Sequence, residues 1–183
     1  MLKTNQRKNL PVQYLTRIAV LAAMASILFL PAFEITIIPP FYKLDFSNFP
    51  ALLGAFSMGP VPGMLVVLIK SLIGLTHSGT GGVGELADFI MGSAFVVSAA
   101  LVYARMKTRK GAIISMIVAT VVIVFVSALT NYFIMFPLLT HSFPEFSFIL
   151  TATMPFNLLK GVVLCVLTGL IYKPLSPLLK VKR

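Results

Sequence analysis

The chain has 183 residues, 58% of them hydrophobic and only 11% charged, with a formal net charge of +10. A soluble domain this small buries only about 70% of its chain's surface and could not hide so many apolar side chains, so an ordinary soluble globule and a disordered chain are excluded. What remains is a polytopic membrane protein, in which the basic excess reports on topology and not on nucleic acid.

Taken in chain order, six apolar runs read as helices at 14–33, 49–58, 61–76, 86–104, 112–136 and 151–172. A spanning helix needs about 20 mostly apolar residues. The second and third runs are short, and the cluster Gly59-Pro60-Val61-Pro62-Gly63 between them stops helices, so they are two spans or one kinked span. Charge placement decides the count. The groups Lys3, Arg7, Lys8, Arg17, then Arg105, Lys107, Arg109, Lys110, then Lys173, Lys180, Lys182, Arg183 hold 12 of the 15 basic residues. Six crossings put all three groups on one face, which basic loops mark as cytoplasmic; five crossings would split them. The expected architecture is therefore all-α: a single six-helix transmembrane domain over 1–183, with both termini cytoplasmic. All five acids, Glu34, Asp45, Glu85, Asp88 and Glu145, then fall in or beside external loops. The first run is retained, not cleaved, because Leu28-Phe29-Leu30-Pro31 lacks the small-x-small pattern of a signal-peptide cut.

No repeat, ATP site, zinc ligand set or catalytic motif is visible. The lone Cys165 lies in an apolar run and reads as a packing residue. A chain like this is a channel, an intramembrane enzyme, or a binding subunit whose energy comes from another chain.

Polar residues inside apolar runs are the informative ones, since an ionisable group there costs about 2.5–3.5 kcal/mol and faces a cavity or a partner. Lys160 lies ten residues into the sixth run, and Asn157, three residues earlier, projects from the same helical face. Lys160 either joins Asn157 in a paired polar site or snorkels to the external surface. Pro155 fits the first turn of a helix. Asn131, late in the fifth run, matches Asn157 in depth and is either a site residue or interhelical glue. Lys70 faces the cavity or snorkels. The first external loop, 38–50, interleaves aromatics with Lys43 and Asp45, and Pro31, Pro39, Pro40 and Pro50 stiffen this region. It is an interfacial aromatic belt or a loop that dips into the bundle and lids a site. Thr76–Gly84 has four Gly in nine residues and reads as a hinge or gate, while His77 and His141 are solvent-exposed loop residues. In the first run Ala19 and Ala23, like Ala22 and Ser26, make small-xxx-small pairs that suit close helix packing, within the chain or against a partner.

These segments together resemble the substrate-binding S components of energy-coupling factor (ECF) vitamin transporters, and within them the riboflavin-specific branch. The resemblance is carried by Lys43-Leu44-Asp45-Phe46-Ser47-Asn48-Phe49-Pro50-Ala51-Leu52-Leu53-Gly54-Ala55-Phe56 with Gly59-Pro60, by Gly84-Glu85-Leu86-Ala87-Asp88-Phe89, and by Pro155-Phe156-Asn157-Leu158-Leu159-Lys160-Gly161. It implies a multi-pass protein of a prokaryotic cell membrane that captures riboflavin from outside, with no enzyme activity, metal or cofactor of its own. It implies as partners a transmembrane coupling protein and two ATPase subunits. Carried over residue by residue, Lys43, Leu44, Asp45 and Phe46 are cap residues over an outward-facing pocket, Asn131, Asn157 and Lys160 hydrogen-bond the cargo, and Ala19 and Ala23 face the coupling protein. The chemistry agrees: a flat neutral tricycle with a polyhydroxyl tail wants apolar walls and a few donors and acceptors. Phe46, Tyr132 and Phe136 are stacking candidates. Competing expectations are an S component for another vitamin or a flavin nucleotide, an intramembrane enzyme, and a channel.

Overall fold

The computed structural model describes residues 12–38 and 42–179. The basic residues Lys3, Arg7, Lys8, Lys180, Lys182 and Arg183, the loop residues Pro39 and Pro40, and both termini lie outside the described residues. Helix α1 (Val12–Leu28) leads through a single 3-10 turn (Pro31–Phe33) into a hairpin of β1 (Ile35–Ile38) and β2 (Tyr42–Leu44), paired antiparallel with Ile35 opposite Leu44 and Thr36 opposite Lys43. Then come α2 (Asn48–Met58), α3 (Pro60–Gly74), α4 (Val83–Met106), α5 (Arg109–Thr130), α6 (Phe136–Thr140), α7 (Phe146–Phe148) and α8 (Met154–Leu179). The chain is mostly helical, and among the described residues the one addition to the all-α expectation is this hairpin, in which residues at the start of the first external loop pair their backbone groups as a two-stranded ribbon.

Helix ends follow local chemistry. Gly59 joins α2 to α3 at φ 107°, a conformation that excludes a side chain. Pro60 then opens α3, where its missing N–H costs nothing. Thr108 caps α5 by accepting a hydrogen bond from the Gly111 N–H at 2.9 Å.

The sixth run is longer than expected. It starts at Phe146 and passes through a π turn (Ile149–Thr153) into α8, and α5 likewise passes through a π turn (Asn131–Met135) into α6. Each π turn is followed, one residue later, by a proline: Phe136-Pro137 and Met154-Pro155. In a regular helix Pro137 would strip a bond from the Phe133 carbonyl and Pro155 one from the Thr151 carbonyl, and each ring would press on that oxygen. The wider turn relieves both. Pro155 is thus an interior proline accommodated by a bulge, and not a residue of a true first turn.

Helix α2 sits at the centre. Residues Asn48 to Phe56 are all buried, against α1, α3, α4 and α8. At 11 residues it is about 16 Å long, half of a bilayer's hydrocarbon core. Buried Asp45, Ser47 and Asn48 continue it towards the hairpin. Non-helical backbone at that depth is tolerated because protein surrounds it. The apolar core lies where α2, α3, α4, α5 and α8 converge, around Leu52, Leu53, Val66, Val67, Phe95, Val96, Ile123 and Leu164. A Cβ on Gly63 would come within 2.6 Å of Val96 and 2.7 Å of Ala55, so glycine there lets three helices close up.

The outer surface is apolar. Phe125, Leu129, Phe133, Val166 and Leu170 are exposed, and four helical stretches are long and apolar enough to cross a membrane: Pro60–His77, Val83–Met106, Lys110–Thr140 and Phe146–Ile171. Helix α1 is apolar but, at 17 residues, shorter.

Candidate functional site

At the end of the bundle that carries the hairpin, the 75–82 loop and the 141–145 loop lies a cavity of about 480 Å³. Polar and apolar walls alternate. Tyr42, Phe29, Phe156, Met91, Met135 and Leu139 supply apolar surface, and Asn131, Asn157, Lys160, Asp45 and Asp88 supply the buried polar groups.

Asp45 is the hub of the polar wall. It follows β2 directly, so the strand that carries Tyr42 and Leu44 also delivers the carboxylate. Its Oδ2 accepts from Lys160 Nζ at 2.6 Å, and its Oδ1 accepts from the Ser47 N–H at 2.9 Å and from the Ser47 hydroxyl. The nearby Lys160 and Lys70 ammoniums compensate the charge of this buried carboxylate. Lys160 is only 7% exposed, which overturns the snorkelling reading. Lys70 resolves differently from either expectation. It neither lines the cavity nor reaches water. It is fully buried behind the wall, bonded to Asp88 Oδ2 at 2.7 Å and to Ser47 Oγ at 2.6 Å, with its ammonium 4.5 Å from the Phe29 ring centre. Asp88 in turn lies 3.9 Å from Lys160 and accepts from Ser71 at 3.4 Å. The four charges alternate in sign and sum to zero, the condition under which buried ions are tolerated.

The two asparagines are set alike. Each clips a carbonyl one turn back on its own helix: Asn131 Nδ2 donates to the Ser127 oxygen at 2.8 Å, Asn157 Nδ2 to the Thr153 oxygen at 2.9 Å. Asn131 lines the cavity, and its Oδ1 is buried without a hydrogen-bond partner. A buried acceptor left unpaired costs about 1–3 kcal/mol, so this oxygen is primed for a donor from outside the chain.

Of the residues read from sequence as site members, Lys43, Asp45, Asn131, Asn157 and Lys160 line the cavity. Lys43 stands at its rim, half-exposed and paired with Glu34 at 2.8 Å. Four others do not line it. Leu44 packs with Tyr42 against Phe156, Phe148 and Ala152. Phe46 is half-buried beside the chain's descent into α2. Tyr132 turns to Phe133 and Phe143, and Phe136 meets Phe148 edge-on. Tyr132 follows Asn131 by one residue and therefore points about 100° away from it. The aromatic walls are instead Phe29, Phe156 and Tyr42, whose hydroxyl bonds Thr153. Position i+4 from Asn131 belongs to Met135, a cavity residue that helical spacing could have found.

Other expectations shift. His77 is not a solvated loop residue: it lines the cavity, with its Nε2 3.3 Å from the Phe29 carbonyl oxygen. The glycine-rich loop is pinned by side chains, with Ser78 and Thr80 bonded to Glu85 at 2.7 and 3.3 Å. Asp45 and Asp88, read as acids in or beside external loops, join one buried network. In α1, Ala22 and Ser26 are buried inside the bundle, whereas Ala19 and Ala23 are exposed along the edge of that buried stripe. Cys165 packs against Thr120 and Met116 of α5.

An apolar-coated helical bundle with a polar-studded hollow at one end defines a membrane protein that binds a small molecule. The sequence model of the ECF transporter substrate-specific component matches residues 13–172, and the chain belongs to that family, as a substrate-binding component and not an enzyme. It is 34% identical to the riboflavin transporter RibU of Staphylococcus aureus (strain TCH60), over 96% of this chain and 98% of that protein. It is 29% identical to the riboflavin transporter FmnP of Bacillus subtilis (strain 168), over 94% and 96%. A solved S component of a bacterial ECF transporter superposes with a TM-score of 0.82 at 33% identity, covering 94% of this chain and 100% of that one.

Proposed function

We propose that this chain is the riboflavin-binding subunit of an ATP-driven uptake system in the bacterial cell membrane. The observation that carries the reading is the unpaired Asn131 Oδ1, buried beside Asn157 and the Lys160–Asp45 pair in a cavity of about 480 Å³. That volume lies within the usual range of about 300–1,000 Å³ for small-molecule sites. Asn131 Oδ1 accepts from the imide N–H of the flavin ring. Asn157 and Lys160 address the ring's carbonyl and nitrogen acceptors, and Asp45 accepts from hydroxyls of the tail. Tyr42, Phe156 and the methionines sandwich the tricycle. The riboflavin named for the relatives supports the same cargo.

In the membrane the single domain crosses six times, with both termini cytoplasmic. The turn carrying Arg105, Lys107 and Lys110 then lies inside and the cavity opens outside. Helix α2 makes its crossing together with the buried 45–47 segment. The hairpin and Lys43, Leu44, Asp45 and Phe46 cap the site, Leu44 and Phe46 by seating the cap rather than by touching cargo. Ala19 and Ala23 receive a transmembrane coupling protein, and two ATPase subunits behind it supply the energy. The test is direct: the purified chain should carry a yellow flavin chromophore or quench the fluorescence of added riboflavin, and a colourless protein that quenches nothing would refute the assignment.

A further inference from the structure

We infer that Glu85 makes this site refuse phosphorylated cargo, so that it takes riboflavin and turns away riboflavin 5′-phosphate. The inference rests on the riboflavin reading and names the charge class that the same site selects.

Four carboxylates line the cavity, Glu34, Asp45, Glu85 and Asp88, against two lysines, Lys43 and Lys160. Both lysines are already engaged. Lys160 holds Asp45 at 2.6 Å, and Lys43 holds Glu34 at 2.8 Å. Asp88 is matched from behind the wall by Lys70 at 2.7 Å. Glu85 stands apart. Its Oε2 takes hydrogen bonds from the hydroxyls of Ser78 and Thr80, and no ammonium or guanidinium lies within ion-pair distance of it among the described residues. After every pairing, the cavity wall carries one uncompensated negative charge. Of the other titratable wall residues, His77 has its ring nitrogens 3.3 Å from Thr76 Oγ1 and from the Phe29 carbonyl oxygen, and the Tyr42 hydroxyl bonds Thr153.

A phosphate entering such a hollow would ordinarily look to a helix amino terminus. Helix α4 presents one, preceded by a glycine-rich loop, and that position is already filled from within. The Gly82 N–H donates to Ser78 Oγ at 2.9 Å, the Gly84 N–H to Thr80 Oγ1 at 2.9 Å, and the Thr80 N–H to Ser78 Oγ at 3.2 Å. Glu85, in the first turn of α4, supplies the negative charge that the helix dipole favours there. The loop is a plug that occupies its own anion site. A phosphomonoester, carrying about −1.5 to −2 at neutral pH, meets a like charge there. The ammoniums it could approach are already neutralised, Lys160 by Asp45 and Lys43 by Glu34.

The experiment titrates the purified full-length chain with riboflavin and with riboflavin 5′-phosphate by fluorescence quenching, at low and high salt. The unsubstituted chain should prefer riboflavin, and high salt should narrow the preference. Glu85→Gln, which keeps hydrogen-bonding capacity and removes the charge, should shrink the ratio of the two dissociation constants by on the order of tenfold. Glu85→Asp should retain the preference. Equal affinity for both flavins in the unsubstituted chain, or an unchanged ratio in Glu85→Gln, overturns the inference while leaving the riboflavin assignment intact. Should Glu85→Gln bind neither flavin, the salt response of the unsubstituted chain decides: a narrowing supports the inference, and a salt-independent ratio overturns it. If the unsubstituted chain binds neither flavin, the riboflavin assignment itself falls, and this inference with it.

Discussion

Lys160 and Asp45 are 115 positions apart in sequence and meet at 2.6 Å, joining α8 to the segment that leads from the hairpin into α2. The contact ties the cap to the helix that carries Asn157. Both partners are buried, so the energetics are those of an interior ion pair: loss of one member strands the other.

Asp45→Ala should therefore destabilise the protein by about 3–5 kcal/mol. The double substitution Asp45→Asn with Lys160→Gln should cost much less than the sum of the two single changes, because neither charge is then left alone. Unfolding of the detergent-solubilised chain by titrated SDS measures this, and additivity would show that the pair is not coupled.

Cargo affinity should respond to the amides separately from the fold. Asn131→Ala and Asn157→Ala each remove about 0.5–1.5 kcal/mol of hydrogen bonding, roughly a two- to tenfold rise in the riboflavin dissociation constant. Lys160→Ala removes a charged donor worth about 1.5–3 kcal/mol, roughly ten- to a hundredfold. Fluorescence quenching checks both, with circular dichroism confirming that the helices persist. Unaltered affinity in all three would locate the cargo elsewhere.

Assembly should separate from binding at α1. Ala19→Leu with Ala23→Leu places bulk on exposed positions that flank the buried stripe of the helix. Riboflavin binding should survive, while co-purification with the coupling protein and cellular uptake should fall. Intact assembly would remove the docking role.

Much of the bundle is legible in hydropathy and charge alone. Asn131, Asn157 and Lys160 draw notice because polar groups are rare in apolar runs, and Asp45 because it follows an aromatic, proline-stiffened loop. The Lys70–Asp88 pair was not legible, since its partners sit on neighbouring helices and no spacing rule links α3 to α4. Asp88 also lies near enough to a loop to pass for a surface acid. Ring chemistry points to Tyr132 and Phe136, whereas helical geometry gives the cavity face to Met135 and Leu139. The shortness of α2 followed from its surroundings: a helix buried on every side by protein has no need to match the thickness of lipid.

Each π turn holds one residue beyond what a regular turn would need, and the one at Ile149–Thr153 lies just ahead of Asn157 and Lys160. Were the turn to tighten to ordinary pitch with that residue still in place, everything downstream would swing by about 100°. Hydrophobic content and span length would scarcely change, yet the amide and the ammonium would leave the hollow together. The angular setting of the whole carboxyl-terminal half of the pocket thus hangs on one supernumerary residue.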